Sequence, residues 1–130
     1  MKPEERKPFS KEIIHIDDIE QVCNRIVAKL KTDVTKNLQR RGAIVGISGG
    51  IDSSVCLALS AKAFGAKNVL GIMLPEQDSS DDSRQLAEQL AATYGVSTLV
   101  EDITKALDGF GCYERRDEAI LRVIPDFDKK

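Results

Sequence analysis

The chain has 130 residues, with 19 Lys+Arg against 21 Asp+Glu, a formal net charge of −2, 42% hydrophobic and 31% charged residues, and no Trp. That length suits one domain with a single core, and the composition excludes collagen-like, low-complexity and wholly disordered classes. A near-neutral balance argues against a protein that grips nucleic acid by bulk charge, but it leaves room for a small anion held by backbone amides.

Three cysteines, Cys23, Cys56 and Cys112, are odd in number and form no CxxC pair. A disulfide framework is therefore not expected, nor is a zinc site, because His15 is the sole histidine. The polar N-terminus lacks an apolar signal region, and no run of about 18 apolar residues occurs. The expectation is a soluble, cytoplasmic protein with no membrane segment and no nucleic-acid partner.

Residues 1–12 read as a mobile polar arm, with Pro3 and Pro8 and no periodicity. From Asp17 the pattern changes. Ile19, Val22, Cys23, Ile26, Val27, Leu30, Val34 and Leu38 recur at steps of three and four, the stripe of a long amphipathic helix. Asp17 and Asp18 suit its first turn and Arg40-Arg41-Gly42 its end. The stripe is expected to pack on the core or on a second subunit.

Short apolar runs follow. Residues 43–47, 68–74 and 97–100 read as strands, the first a continuous run as befits burial on both faces. Residues 53–64, ended by Gly65, and 80–94, ended by Gly95, read as the intervening helices, the second with Leu86, Ala87, Leu90, Ala91 and Tyr94 on one face. Residues 103–124 add helical sequence broken by Gly109 and Gly111. The order β-α-β-α-β with short connections is that of a parallel sheet covered by helices, so the expected fold is a three-layer α/β/α domain with a doubly wound parallel sheet, preceded by a long helix.

The chemistry concentrates in Gly46, Ile47, Ser48, Gly49, Gly50, Ile51, Asp52, Ser53 and Ser54, where the first strand passes into the following helix. Ligands of open α/β sheets bind outside the carboxyl ends of the strands. Gly49 and Gly50 let the backbone turn tightly without a Cβ in the way, and the amides after them form a concavity for an anion. Ser48, Ser53 and Ser54 bring hydroxyl donors. The loop is not a Walker A motif, which needs a lysine after the second glycine, nor the GxGxxG dinucleotide fingerprint. A carboxylate at Asp52 beside a polyphosphate would repel it unless a divalent cation bridged the two, so Asp52 reads as a Mg²⁺ ligand. An ordinary helix cap is the competing interpretation.

The segment SGGIDSS after a buried strand resembles the pyrophosphate-binding loop (SGGxDS) of the ATP pyrophosphatase, or PP-loop, superfamily, whose fold is of the adenine nucleotide alpha hydrolase type. Within it the form VGISGGIDSS, the second strand ending in GIMLP, and the acidic serine-rich residues 76–83 leading into RQLAEQLAATYGV are similar to the NAD synthetases. The resemblance covers about residues 16–128. It implies that Ser48, Gly49, Gly50, Ser53 and Ser54 hold the phosphates of ATP and the departing pyrophosphate, that Asp52 binds Mg²⁺, and that Met73-Leu74-Pro75 meets the adenine with Gly46 and Ile47 on its other side. It further implies a two-step reaction. The carboxylate of nicotinic acid adenine dinucleotide attacks the α-phosphate, and ammonia then displaces AMP to give NAD. No covalent nucleophile on the protein is required.

With about 40 residues before the loop there is no room for an N-terminal glutaminase domain, so free ammonia is the expected nitrogen donor. The GNxxE-like segment that supplies a second acidic Mg²⁺ ligand in this family finds no match at Asn24, Asn37 or Asn68. Residues 13–130 are therefore expected to be an ATP-binding domain incomplete at its C-terminus, the N-terminal part of a homodimeric enzyme. Two other readings remain: another PP-loop enzyme, GMP-synthetase-like or tRNA-modifying, or a nucleotide-binding module inactive alone. Asp78, Asp81 and Asp82 read as a solvated acidic loop, Arg115-Arg116 as a surface charge cluster, and Cys56 as a small packed apolar side chain; Cys112 has no assignment.

Overall fold

In a computed structural model, residues 11–127 are described. Most of the 1–12 arm lies outside them. A short 3₁₀ turn, Lys11–Ile14, precedes helix α1 (Ile19–Thr32). Then follow strand β1 (Ala43–Gly46), helix α2 (Ile51–Phe64), strand β2 (Val69–Met73), helix α3 (Asp81–Tyr94), strand β3 (Ser97–Val100), and helices α4 (Thr104–Gly109) and α5 (Cys112–Leu121). The sheet is parallel throughout, in the order β1-β2-β3, with Ile44 opposite Leu70 and Ile72 opposite Leu99. The α/β class, the parallel sheet with flanking helices and the helical segment ahead of it are as expected from the sequence.

The core lies between the sheet and α2 with α3, which also contact each other and so share one face. Val69 and Met73 of β2 and Ile47, just past the end of β1, project into it and meet Leu57 of α2 and Ala87 and Ala91 of α3. Leu57 is wholly enclosed, and burying such a side chain is worth about 2–3 kcal/mol. Ala87 and Ala91, four residues apart, let α3 approach closely, whereas Leu86 and Tyr94 of the expected face are largely exposed.

By the two-residue period of a strand, Ile44, Leu70, Ile72 and Leu99 point to the opposite face. Ile44 there is 71% exposed. The expectation that β1 is buried on both faces therefore fails: its continuous apolar run packs only alternate residues, because α2 and α3 lie on the same side.

Helix α1 packs against α2 rather than on the sheet, and none of its residues is fully buried. Asp18 caps it by accepting from the Gln21 amide at 2.8 Å. The periodic stripe does not run as one α-helix to Leu38. It passes into a π-helical turn, Asp33–Asn37, where Leu38 N–H bonds to Asp33 C=O. Asp33 also accepts from Lys29 Nζ and Asn37 Nδ2, both at 2.9 Å. The helix ends at Gln39, which takes a left-handed conformation with φ 53°, so the chain has already turned before Gly42, the expected stop.

Candidate functional site

The cleft sits at the carboxyl ends of β1 and β2 and encloses about 330 Å³. Gly46, Ile47 and Ser48 form one wall, Ile72, Met73, Leu74 and Pro75 a second, and Ser79, Ser83 and Arg84 from the start of α3 and the loop before it close the third. The second wall is held by backbone: Glu101 N–H donates to Met73 C=O and Ile103 N–H to Pro75 C=O, extending the β2–β3 ladder past the strands. On the first wall, Ile47 N–H donates to Ile72 C=O at 2.9 Å.

From Ser48 the chain turns through Gly49 into α2. Gly49 has φ +77°, and a Cβ there would come within 2.6 Å of the Ser83 carbonyl oxygen. Both facts require glycine, and together they let the loop touch α3 backbone to backbone. At Gly50 the constraint is different. Its φ of −80° and ψ of 160° suit any residue at a helix N-cap, and an added Cβ would meet only Ser48 Oγ, at 3.4 Å. Having no side chain, Gly50 leaves the first-turn amides of α2 without a side-chain cap. Those amides carry the positive end of the helix dipole.

The three serines behave less uniformly than the sequence suggests. Ser53 Oγ donates to Gly50 C=O at 3.0 Å and Ser54 Oγ to the same oxygen at 2.8 Å, so both hydroxyl protons are committed to the loop itself. Ser53 Oγ in turn accepts from Ser48 N–H and lies 3.3 Å from Ser48 Oγ. Ser53 and Ser54 thus brace the turn, while Ser48 faces the cleft.

Asp52 is exposed in the first turn of α2. Among the described residues no group of three or more His, Cys, Asp or Glu side chains converges as a metal cage. A cation at Asp52 would draw its remaining ligands from phosphate oxygens and water, an all-oxygen donor set that suits Mg²⁺.

Of the residues singled out from sequence, Gly46, Ile47, Ser48, Met73, Leu74 and Pro75 line one cleft, with Gly49 to Ser54 forming the turn at its edge. Sequence reasoning missed Ser79, Ser83 and Arg84. Arg84 is the sole charged side chain of the lining, and Glu88 Oε1 occupies its Nε at 2.9 Å. A lone cation after a run of Asp and Ser was the available signal. The expected surface charge cluster gains a long-range partner. Asp78 is paired with Arg116, which also bonds Asp117 Oδ1 at 2.9–3.0 Å and stacks on the Tyr113 ring. Tyr113 is half-buried, its hydroxyl donating to Glu76 Oε2 at 2.9 Å. Burial and then the adjacent Glu76 carboxylate push its phenol above the ordinary range.

The sequence model of the NAD synthase family matches residues 22–121. The chain is 45% identical over 122 residues to the NH3-dependent NAD+ synthetase of Rhizobium meliloti, covering 94% of this chain and 36% of that protein. It is 46% identical over 110 residues to the enzyme of the same description from Mesorhizobium japonicum, covering 85% and 34%. In three dimensions it is similar to the NH3-dependent NAD synthetase of Campylobacter jejuni solved with a nitrate ion, with a TM-score of 0.67 and 27% identity over 74% of this chain and 41% of that one. The chain thus spans about a third of the length of the curated relatives it matches.

Proposed function

Because the chain belongs to the NAD synthase family, we propose that residues 13–130 form the nucleotide-binding part of an ATP-dependent amide ligase that converts nicotinic acid adenine dinucleotide to NAD with ammonia. What carries this reading is the convergence of a cleft at the strand ends with a helix N-terminus left uncapped by glycine. The adenine lies between Gly46-Ile47 and Met73-Leu74-Pro75. The phosphates run to Ser48 and the amides from Gly49 to Ser54, and Arg84 adds the one cationic side chain.

The chemistry follows from where charge grows. An oxygen of the substrate carboxylate attacks the α-phosphorus, the bond to the β-bridging oxygen breaks, and pyrophosphate leaves with the electron pair. Backbone donors fixed in advance around that leaving group stabilise its added charge without reorganising. Ammonia then attacks the acyl carbon, AMP departs, and a proton is lost to solvent. When bound, Mg²⁺ at Asp52 neutralises phosphate charge as a Lewis acid. No side chain of this chain needs to become covalently attached to substrate.

The same reading makes the enzyme a cytosolic homodimer. The exposed Ile19 and Ile26 on α1 offer an apolar surface to a second copy. No described helix is long and apolar enough to cross a membrane.

The test combines the chain with ATP, Mg²⁺, ammonia and nicotinic acid adenine dinucleotide and follows pyrophosphate and NAD, with ATP binding measured by calorimetry alongside. ATP binding that weakens in Asp52→Ala only when Mg²⁺ is present supports the site. Pyrophosphate release with a different carboxylate and none with this dinucleotide overturns the substrate, and absence of ATP binding overturns the cleft.

A further inference from the structure

The loop between β2 and α3 is the least regular wall of the cleft, and it is held from outside by α5. Inside the loop, Glu76 N–H donates to Ser79 Oγ at 2.9 Å, Ser79 N–H to Glu76 C=O at 2.9 Å, and Asp78 N–H to Glu76 Oε1 at 3.1 Å. Every one of these bonds involves Glu76. Its other carboxylate oxygen accepts the Tyr113 hydroxyl at 2.9 Å, from 37 positions further along the chain. Arg116, one turn later on α5, pairs with Asp78 and lies 5.2 Å from the Tyr113 ring centroid. Two adjacent turns of α5 therefore grip two anchor points of one seven-residue loop, and Ser79 of that loop lines the cleft.

We propose that Tyr113 and Arg116 are positioning residues for the nucleotide cleft, clamping Glu76 and Asp78 so that Ser79 and the wall it belongs to hold a binding-competent conformation; this deepens, and rests on, the nucleotide reading above. An exposed ion pair on its own contributes little. Here the pair is joined to a half-buried hydrogen bond onto a carboxylate and to a cation–π contact, both stronger than an isolated surface pair. Ser79 Oγ accepts the Glu76 amide, so its own hydroxyl proton is left to face the cleft, and its place depends on Glu76 staying where Tyr113 holds it. If releasing the clamp leaves the wall competent for about a fifth of the time, apparent affinity falls about fivefold with no contact to the nucleotide removed.

The experiment uses the whole chain, with Mg²⁺–ATP titrated by calorimetry and backbone hydrogen exchange followed by mass spectrometry. Tyr113→Phe keeps the ring and the net charge and removes only the hydroxyl. It is expected to weaken ATP binding about fivefold and to speed exchange at residues 77–79, with exchange in α2 unchanged. Asp78→Asn, Arg116→Met and the double variant form a cycle. A clamp predicts that each single variant weakens binding and that the double variant costs no more than either, whereas a long-range effect of charge on the anion predicts tighter binding in Asp78→Asn, weaker binding in Arg116→Met, and effects that simply add. Faster exchange at 77–79 together with weakened binding supports the proposal. Unchanged exchange, unchanged affinity, or effects of Asp78→Asn and Arg116→Met that simply add each overturn it. Should the unmodified chain bind no ATP, the cleft reading fails, and exchange at 77–79 in Tyr113→Phe alone decides whether the clamp exists.

Discussion

Two helices begin at the cleft, and they begin differently. At the start of α3, Ser80 Oγ accepts the Ser83 amide at 3.3 Å and lies 2.9 Å from Ser83 Oγ, so the end is closed by its own side chains. At the start of α2 the capping position is Gly50, with nothing to offer, and the nearby hydroxyls of Ser53 and Ser54 turn back onto the Gly50 carbonyl. A capped N-terminus is a stability device. An uncapped one, with glycine at the cap position, gives up a few tenths of a kcal/mol of that stability and leaves its first-turn amides open. The fold thus applies the same local rule in two opposite ways within one cleft.

The largest effect is expected where the two helix starts touch. Gly49→Ala forces a side chain into a left-handed backbone and against the Ser83 carbonyl, and should cost about 2–3 kcal/mol, read as a lower urea midpoint with an unchanged slope. Next comes an attempt to make α2 resemble α3. Gly50→Asp has the right backbone for a cap and should stabilise the fold by a few tenths of a kcal/mol. Its carboxylate would occupy the amides that the proposed function assigns to phosphate, so ATP affinity should fall at least about tenfold, or 1.4 kcal/mol. A variant both more stable and still binding would break the comparison. The converse change, Ser80→Ala, should cost about 1 kcal/mol in unfolding experiments, with ATP affinity unaltered.

The smallest effect concerns α4. Asp102 accepts the Thr104 amide at 2.8 Å, and its hydrogen bonds with the Thr104 side chain first and backbone second hold its carboxyl below the ordinary value. A depressed folded value means the stabilisation is present above the unfolded-state value and is lost as pH falls through the folded one. The difference in melting temperature between the protein and Asp102→Asn should therefore be seen near neutrality and close below about pH 4.

What could be read from sequence was whatever is settled locally. From β1 to β3, strand and helix limits came within a residue or two, because the period of apolar residues changes sharply at Gly65, Pro75 and Gly95. The loop from Gly46 to Ser54 was legible because glycines and small hydroxyls in a strand-to-helix turn specify a backbone shape with little help from elsewhere. The rest depends on distant partners. Arg84 joins the cleft only because α3 docks on α2 and the sheet, and Tyr113 meets Glu76 only through a reversal of the chain at α4 and α5. The face that β1 buries is likewise set by where α2 and α3 settle, and a run such as residues 43–47 is apolar on both sides. At Gln39 a polar residue takes the left-handed turn for which glycine would be the natural choice, so the end of α1 carried no readable stop.

The contact between Gly49 and Ser83 also fixes a dimension. Where main chain rests on main chain, the spacing between two walls is a constant of bond lengths and radii, indifferent to rotamer hops on the picosecond-to-nanosecond scale. The glycine-loop end of the cleft is in that sense a gauge. Ile72, Leu74 and Arg84, lining residues outside that contact, are the adjustable part, so substitutions there can retune which ligand is preferred while the distance across the loop stays as it was.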